Sequence, residues 1–96
     1  MKYPVYIHSE EGIEGYGVVV PDLLGCVSHG DDVEDAFRMA CEAVQLHVEE
    51  MVEDGDDLPA SRDIEEIVEK DDLADYQSGQ GFWAFVTVQI PMQAAA

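Results

Sequence analysis

Basic side chains are scarce in this sequence. Four Lys and Arg residues stand against 22 Asp and Glu residues, so the formal net charge is −18 at pH 7. Proteins that bind DNA or RNA neutralise backbone phosphates with Lys and Arg, and this chain has few of either. The imbalance therefore predicts that it does not bind nucleic acid directly. The acidic field would instead attract a basic protein partner, or serve only to keep the protein soluble.

Cysteines and long apolar runs are also few. Cys26 and Cys41 are the two cysteines, and their spacing matches neither a metal-binding nor a redox motif. No apolar run approaches the roughly 20 residues that a membrane-spanning helix needs. Residues 1–7 are strand-like and do not resemble a secretory leader. These absences predict a cytoplasmic protein with free thiols and no membrane association.

Residue types suited to catalysis do not come together along the sequence. His8, His29 and His47 are far apart, so we expect them at strand ends and on a helix flank with ordinary hydrogen bonds. Cys26 and His29 would point to opposite faces of a strand. Cys41 and His47 would lie on different sides of a helix. The sequence therefore predicts no catalytic residue, no metal site, no cofactor and no enzymatic activity.

Strand signals occupy four segments of the chain. Residues 2–8 alternate apolar and polar, residues 16–20 and 26–29 are short β-prone runs, and loops containing Gly or Pro separate them. Pro4 favours an edge position or the first residues of its strand, because proline cannot donate to a ladder. Residues 82–90 are apolar on both faces in their first half. This fourth strand is therefore expected well inside the sheet or against a partner.

The clearest periodic signal lies between Asp31 and Gly55. Apolar residues recur there every three or four positions: Val33, Phe37, Ala40, Val44, Val48 and Met51. This spacing predicts one long helix with a single apolar stripe. Asp31 followed by Glu34 has the spacing of a capping box, and Gly55 is predicted to supply the C-cap.

The order of these elements predicts the fold. A second, short helix with Ser61 as its N-cap follows the long one, which gives the order β-β-β-α-(α)-β. Three antiparallel strands and a returning strand, covered by one long helix, make a two-layer α+β domain. This domain would occupy residues 1–90, and residues 91–96 are interpreted as a tail.

Short motifs follow one another in a fixed order along the chain. They are GYGVVV at residues 15–20, PDLLGC at 21–26, GD at 30–31, EDG at 53–55 and WAFVTV at 83–88. Each motif alone is weak, but the ordered set with these spacings resembles the HicB antitoxin family. The resemblance covers nearly the whole chain up to Ile90.

The resemblance implies both a fold and a function. HicB-type domains would have a degraded ribonuclease H-like fold, and here the first and last strands contain no acidic residue. Glu42 and Glu49 on the helix are typical of a solvated face. The chain would bind a small basic HicA-type toxin, an mRNA-cleaving ribonuclease that uses a histidine, and mask its active site. Longer members carry a C-terminal ribbon-helix-helix or helix-turn-helix domain for operator DNA, so autoregulation would need that domain.

Acidic loop residues and two strand aromatics are the candidates for partner binding. The predicted residues are Glu10, Glu11, Glu14, Asp22, Asp31, Asp32, Trp83 and Phe85. An acidic antitoxin can place carboxylates where its toxin would hold phosphates, and exposed aromatics often anchor interfaces. Two alternative interpretations stay open: the charges are only solvated, and the aromatics belong to the core.

We expect a homo-oligomer. The second candidate function, after the antitoxin, is a homo-oligomeric binding module without a toxin. The third is a metal-dependent nuclease.

Overall fold

A computed structural model describes residues 1–9, 12–70 and 81–90 of the chain. Its elements in chain order are β1 (Lys2–His8), β2 (Tyr16–Val19), β3 (Val27–Gly30), α1 (Val33–Glu53), α2 (Ile64–Lys70) and β4 (Gly81–Thr87). This is the predicted order, and the α+β architecture is confirmed. The predicted tail at residues 91–96 lies outside the described residues.

The strands form one antiparallel sheet in the order β3-β2-β1-β4. Pro4 therefore lies in a central strand, and the predicted edge position is wrong. The Val88 N–H donates to the Met1 carbonyl at 2.8 Å. Because the backbone groups of successive residues point to alternate sides, the odd-numbered residues of β1 form their hydrogen bonds with β4, and Pro4 faces the β2 side. The ladder with β2 begins only at Tyr6. The missing N–H of Pro4 thus costs no sheet hydrogen bond, which agrees with a place among the first residues of the strand.

β4 lies at an edge of the sheet. It pairs with β1 along its whole length, from Thr87 opposite Lys2 to Gly81 opposite His8. No further strand follows it within the described parts of the chain. The prediction that this strand lies well inside the sheet is therefore wrong, because an apolar composition does not distinguish a central strand from an exposed edge. The alternative, that it packs against a partner, stays a prediction.

One face of the sheet packs against α1. The buried residues of this core are Tyr3, Val5, Ile7, Val18, Val20, Leu23, Cys26, Ala36, Ala40, Val44, Val48, Val86 and Val88. The centre of the helix stripe follows a spacing of four from Ala36 to Val48, and its small side chains let the helix approach the sheet closely. Phe37 and Met51 only flank it, and Val33 is exposed. The predicted stripe is thus confirmed, with its centre displaced by one residue from Phe37.

Both ends of α1 are capped by local hydrogen bonds. The Asp35 N–H donates to Oδ1 of Asp32 at 2.7 Å, and the Asp31 N–H donates to Oδ2 of Asp35 at 2.9 Å. The N-cap is Asp32, so the predicted cap at Asp31 is wrong by one residue. At the other end Gly55, with φ +79°, donates its N–H to the Val52 carbonyl at 3.1 Å. The C-cap is Asp54, so the predicted C-cap at Gly55 is wrong by one residue, and Gly55 follows the cap in the left-handed conformation that glycine permits.

The connection between the helices is anchored to β1. The hydroxyl of Tyr3 donates to the carbonyl oxygen of Pro59 at 2.7 Å. Burial, and secondarily the charge of Asp22, raise the pKa of this phenol. α2 then begins at Ile64, after a hydrogen bond from the Ile67 N–H to the Asp63 carbonyl. Asp63 therefore stands at the N-cap position that the sequence analysis predicted for Ser61.

Candidate partner-binding surface

The turn between β2 and β3 directs Asp22 into the protein. Its side chain is 2% exposed and lies against Arg62. The Nε of Arg62 donates to Oδ1 at 2.6 Å, and the backbone N–H of Arg62 donates to Oδ2 at 2.9 Å. Both carboxylate oxygens thus have a donor, as a buried charge requires. Asp22 was predicted to bind a partner, but this geometry gives it a structural role inside the protein.

Three of the predicted acidic residues lie at one end of the sheet, and we call them the acidic end: Glu14, Asp31 and Asp32. All three are exposed. The backbone brings them together, because a Cβ at Gly15 would lie only 2.4 Å from the carbonyl oxygen of Gly30. A ring nitrogen of His29, Nε2, lies 3.2 Å from the Glu14 carbonyl oxygen and fixes the loop to β3. Glu10 and Glu11, predicted for the same surface, lie outside the described residues.

The carboxylates of the acidic end differ in what they bind within the chain. Asp32 accepts the Asp35 N–H as the helix cap. The pKa of the Asp35 carboxyl is lowered mainly by the hydrogen bond that it accepts from the Asp31 N–H, and further by its ion pair with Arg38. By contrast, no hydrogen bond or ion pair involves the side-chain carboxylates of Glu14 and Asp31 within residues 1–9, 12–70 and 81–90. These two carboxylates are therefore available to a partner.

The aromatic candidates lie on a different surface. Trp83 and Phe85 project from the sheet face opposite α1. The Trp83 ring packs on Tyr6 with centroids 5.1 Å apart, while Phe85 is 50% exposed opposite Pro4. β4 and β3 are opposite edges of the sheet, about 14 Å apart at three strand spacings. The predicted residues thus form two surfaces, the acidic end and the β4 edge.

Three residues that contribute to these surfaces or to their support were not predicted from the sequence. Arg62, one of four basic residues, could have been suspected as a partner for a buried acid. Ile13, 57% exposed beside Glu14, adds an apolar contact to the acidic end. Gln45 binds the backbone of Gln89, and no sequence signal links two residues so far apart.

The described residues contain no cluster suited to hold a metal. No three or more His, Cys, Asp or Glu side chains within them are close enough to do so. Burial raises the pKa of the Cys26 and Cys41 thiols, which disfavours reactive thiolates. Glu42 lies 3.5 Å from Arg38, and Glu49 accepts a hydrogen bond from Gln45. In the part of the chain that the structure describes, no helix is long and apolar enough to cross a membrane.

An acidic two-layer α+β domain with exposed carboxylates at one end and an aromatic edge strand has the features of a small protein-binding domain. A family model described as "HicB_like antitoxin of bacterial toxin-antitoxin system" matches residues 3–95. The chain therefore belongs to the HicB-like antitoxin family, as the motifs predicted.

One relative of this chain is a phage protein. The chain is 41% identical over 76 residues to an uncharacterized 14.9 kDa protein from the rep-hol intergenic region of Haemophilus phage HP1. The match covers 79% of this chain and 56% of the phage protein, so the chain spans little more than half of that relative.

Solved structures share the fold. The N-terminal domain of the Burkholderia pseudomallei antitoxin HicB is 36% identical with a TM-score of 0.73, over 93% of this chain and 99% of that one. A chain of the HicA3 and HicB3 toxin-antitoxin complex is 29% identical with a TM-score of 0.69, over 93% and 99%. These likenesses support the antitoxin fold. The ribonuclease H-like description stays a prediction.

Proposed function

We propose that this chain is a cytoplasmic antitoxin that binds a small basic HicA-type ribonuclease and masks its active site, without enzymatic activity of its own. The observation that carries the proposal is the acidic end of the sheet. There Glu14 and Asp31 offer exposed carboxylates without a partner in the described chain. Membership of the antitoxin family and the likeness to a chain of a toxin-antitoxin complex support the same function.

The chemistry of this surface suits a basic partner. Lys and Arg side chains that hold RNA phosphates form charge-assisted hydrogen bonds equally well with carboxylates. The net charge of −18 would steer such a partner from a distance and raise the association rate. Ile13 beside Glu14 would add apolar contact, which acts mainly on the dissociation rate. The toxin would then be unable to hold RNA at the same place.

Charge reversal tests the proposal directly. The proposal predicts that a short basic protein is encoded beside this chain; that protein serves as the toxin in the test, and the readout is its cleavage of RNA. The unchanged chain should abolish cleavage. The double variant Glu14→Lys with Asp31→Lys should inhibit much less, because it removes the two available carboxylates. Glu50→Lys with Glu53→Lys is the matched control, since both acids are exposed on α1 and the change in net charge is the same. Equal inhibition by the two double variants would refute the role of the acidic end.

A second candidate function is a homo-oligomeric binding module without a toxin. The half-exposed Phe82 and Phe85 on the edge strand favour it. The two candidates differ in whether a short basic protein is encoded next to this chain and co-purifies with it.

Under either function we expect no direct binding of duplex DNA, because the chain has few Lys and Arg side chains to replace the counterions of the DNA phosphates. Operator binding would require a further domain, and a low-salt gel shift by this chain would contradict that expectation.

A further inference from the structure

The outer edge of β3 carries backbone groups without a neighbouring strand. The Val20 N–H donates to the Cys26 carbonyl at 3.3 Å, so even-numbered residues of this segment bond β2 and odd-numbered residues face away from it. Val27 and His29 therefore direct their N–H and C=O groups outward. In the part of the chain that the structure describes, no strand lies on that side of the sheet.

The side chains along this edge are open to solvent. Val27 is 68% exposed, and Leu24, in the turn that precedes β3, is 94% exposed. Gly30 lies against Ala36 of α1, so Val27 and His29, at odd positions, project from the opposite face of the sheet. His29 is exposed there as well. The edge therefore begins with accessible apolar groups that a bound strand could cover.

Negative charge is concentrated where this edge ends. β3 ends at Gly30, and Asp31 follows it directly. Nε2 of His29, 3.2 Å from the Glu14 carbonyl oxygen, holds the loop with Glu14 beside the same strand. The acidic end is thus continuous with the β3 edge. The segment Gly81–Thr87 at the other edge contains no charged residue. Of the two edges, β3 is therefore the one whose surroundings suit a basic segment.

We propose that the β3 edge binds an extended segment of the basic toxin as an added antiparallel strand. This inference rests on the proposed function and adds how the toxin is held. Val27 and His29 form backbone hydrogen bonds with the segment. The carboxylates of Glu14 and Asp31 bind its Lys or Arg side chains. Strand addition of this kind takes its affinity from main-chain hydrogen bonds and its specificity from side chains at alternate positions.

The polarity of the edge defines the segment that fits it. Antiparallel pairing places the start of the segment beside Gly30 and its end beside Val27. A segment with Lys or Arg near its start and an apolar residue a few positions later is therefore complementary to the edge. Its charge meets the acidic end, and its apolar residue meets Val27 and Leu24. A second copy of this chain fits poorly, because both copies carry a net charge of −18 and repel each other.

Hydrogen exchange of backbone amides tests the pairing in the complex. The isotope-labelled full chain is followed by NMR with and without the unlabelled toxin. The amides of Val27 and His29 should exchange about tenfold or more slowly in the complex than in the free chain, because each then donates to the added strand. The Ser28 N–H faces β2 in both states and is the internal control.

A lysine on the edge tests the same pairing through binding. Val27→Lys should raise the dissociation constant of the toxin by about tenfold or more, because it places a like charge against a basic segment. Leu46→Lys is the matched control with the same change in net charge. Leu46 is 58% exposed on α1 and lies beside Thr87 and Gln89, near the opposite edge of the sheet. This control should bind the toxin as the unchanged chain does.

Proline substitution separates backbone pairing from side-chain contact. The Val27 N–H faces away from β2, so Val27→Pro removes an outward donor without breaking the ladder of the sheet. It should weaken toxin binding more than Val27→Thr, which keeps the N–H and the branched shape. Circular dichroism reports whether each variant folds. If the proline variant unfolds, hydrogen exchange in the unchanged chain decides.

The outcomes distinguish this inference from the proposed function. A chain that inhibits the toxin while Val27 and His29 exchange as fast as in the free chain would overturn the strand addition alone. Exchange that the toxin slows only at Phe85 and Thr87 of the other edge would do the same, as would equal binding by the two lysine variants. A chain that neither binds nor inhibits the toxin would overturn the proposed function and, with it, this inference.

Discussion

Single residues of the same type have different roles in this protein according to their burial. Arg62 contacts a carboxylate that is 2% exposed, whereas Arg38 is 61% exposed and bonds Asp35 and Glu42 along the surface of α1. A buried carboxylate that loses its cation keeps the full penalty of leaving water. An exposed one is solvated instead, and surface pairs contribute little. The two arginines therefore form a natural comparison within one chain.

We expect Arg62→Ala to lower the free energy of unfolding by about 3 kcal/mol, because it leaves Asp22 buried without its ion-pair partner. Arg38→Ala, the matched control, should lower it by less than about 1 kcal/mol. Urea unfolding followed by circular dichroism measures both. Equal losses in the two variants would show that the Asp22–Arg62 contact is no stronger than a surface pair.

At the scale of elements, the junction of β3 and α1 leaves no room for a side chain at Gly30. Gly30 ends β3 and is buried, and a Cβ there would lie 2.2 Å from the Ala36 nitrogen and 2.4 Å from its Cα. The first turn of the helix can therefore pass over the strand only if this residue has no side chain. The same junction carries Asp31 and Asp32, so the packing of α1 also positions the acidic end.

Gly30→Ala should destabilise the protein by about 2–3 kcal/mol, because the new methyl group overlaps backbone atoms that cannot rotate away. Gly17→Ala is the control within the same sheet. Its Cβ would meet only the ring of His8, at 3.0 Å, and a side chain can adjust. Thermal melts of both variants check the difference. A Gly30→Ala variant as stable as Gly17→Ala would mean that α1 shifts freely over β3.

For the whole molecule, the net charge of −18 has two opposite consequences. Like charges repel one another in the compact state and lower its stability. The same charges attract a basic protein over a distance that salt controls, since the Debye length falls from about 30 Å at 0.01 M to about 8 Å at 0.15 M salt. Stability and association with a basic partner should therefore respond to salt in opposite directions.

We expect that raising the salt concentration from 0.01 M to 0.15 M raises the melting temperature and slows association with the toxin. The Debye length falls most steeply at low salt, so this interval gives a large effect. The dissociation rate should change less, because it depends on apolar contacts such as Ile13. Calorimetry and stopped-flow binding measure the two effects. An association rate that does not change with salt would reduce the acidic residues to a solubilising role.

The sequence by itself determined the order of the elements and the apolar stripe of α1. Strand alternation, helical spacing and the turn residues Gly25 and Gly55 act over a few neighbouring positions, so they are visible in the sequence. The N-cap was misplaced by one residue because Asp31 and Asp32 have the same side chain, and only the backbone conformation distinguishes them. The family motifs, which are also local, identified the antitoxin family.

Only the tertiary structure decided which surfaces these elements form. Asp22 and Arg62 are 40 residues apart, and their pairing removed one carboxylate from the predicted partner surface. The return of β4 beside β1 placed Trp83 and Phe85 at an edge, away from Glu14 and Asp31. Gln45 reaches Gln89 across 44 residues. Such contacts join distant segments through packing and backbone hydrogen bonds, and local sequence patterns carry no information about them.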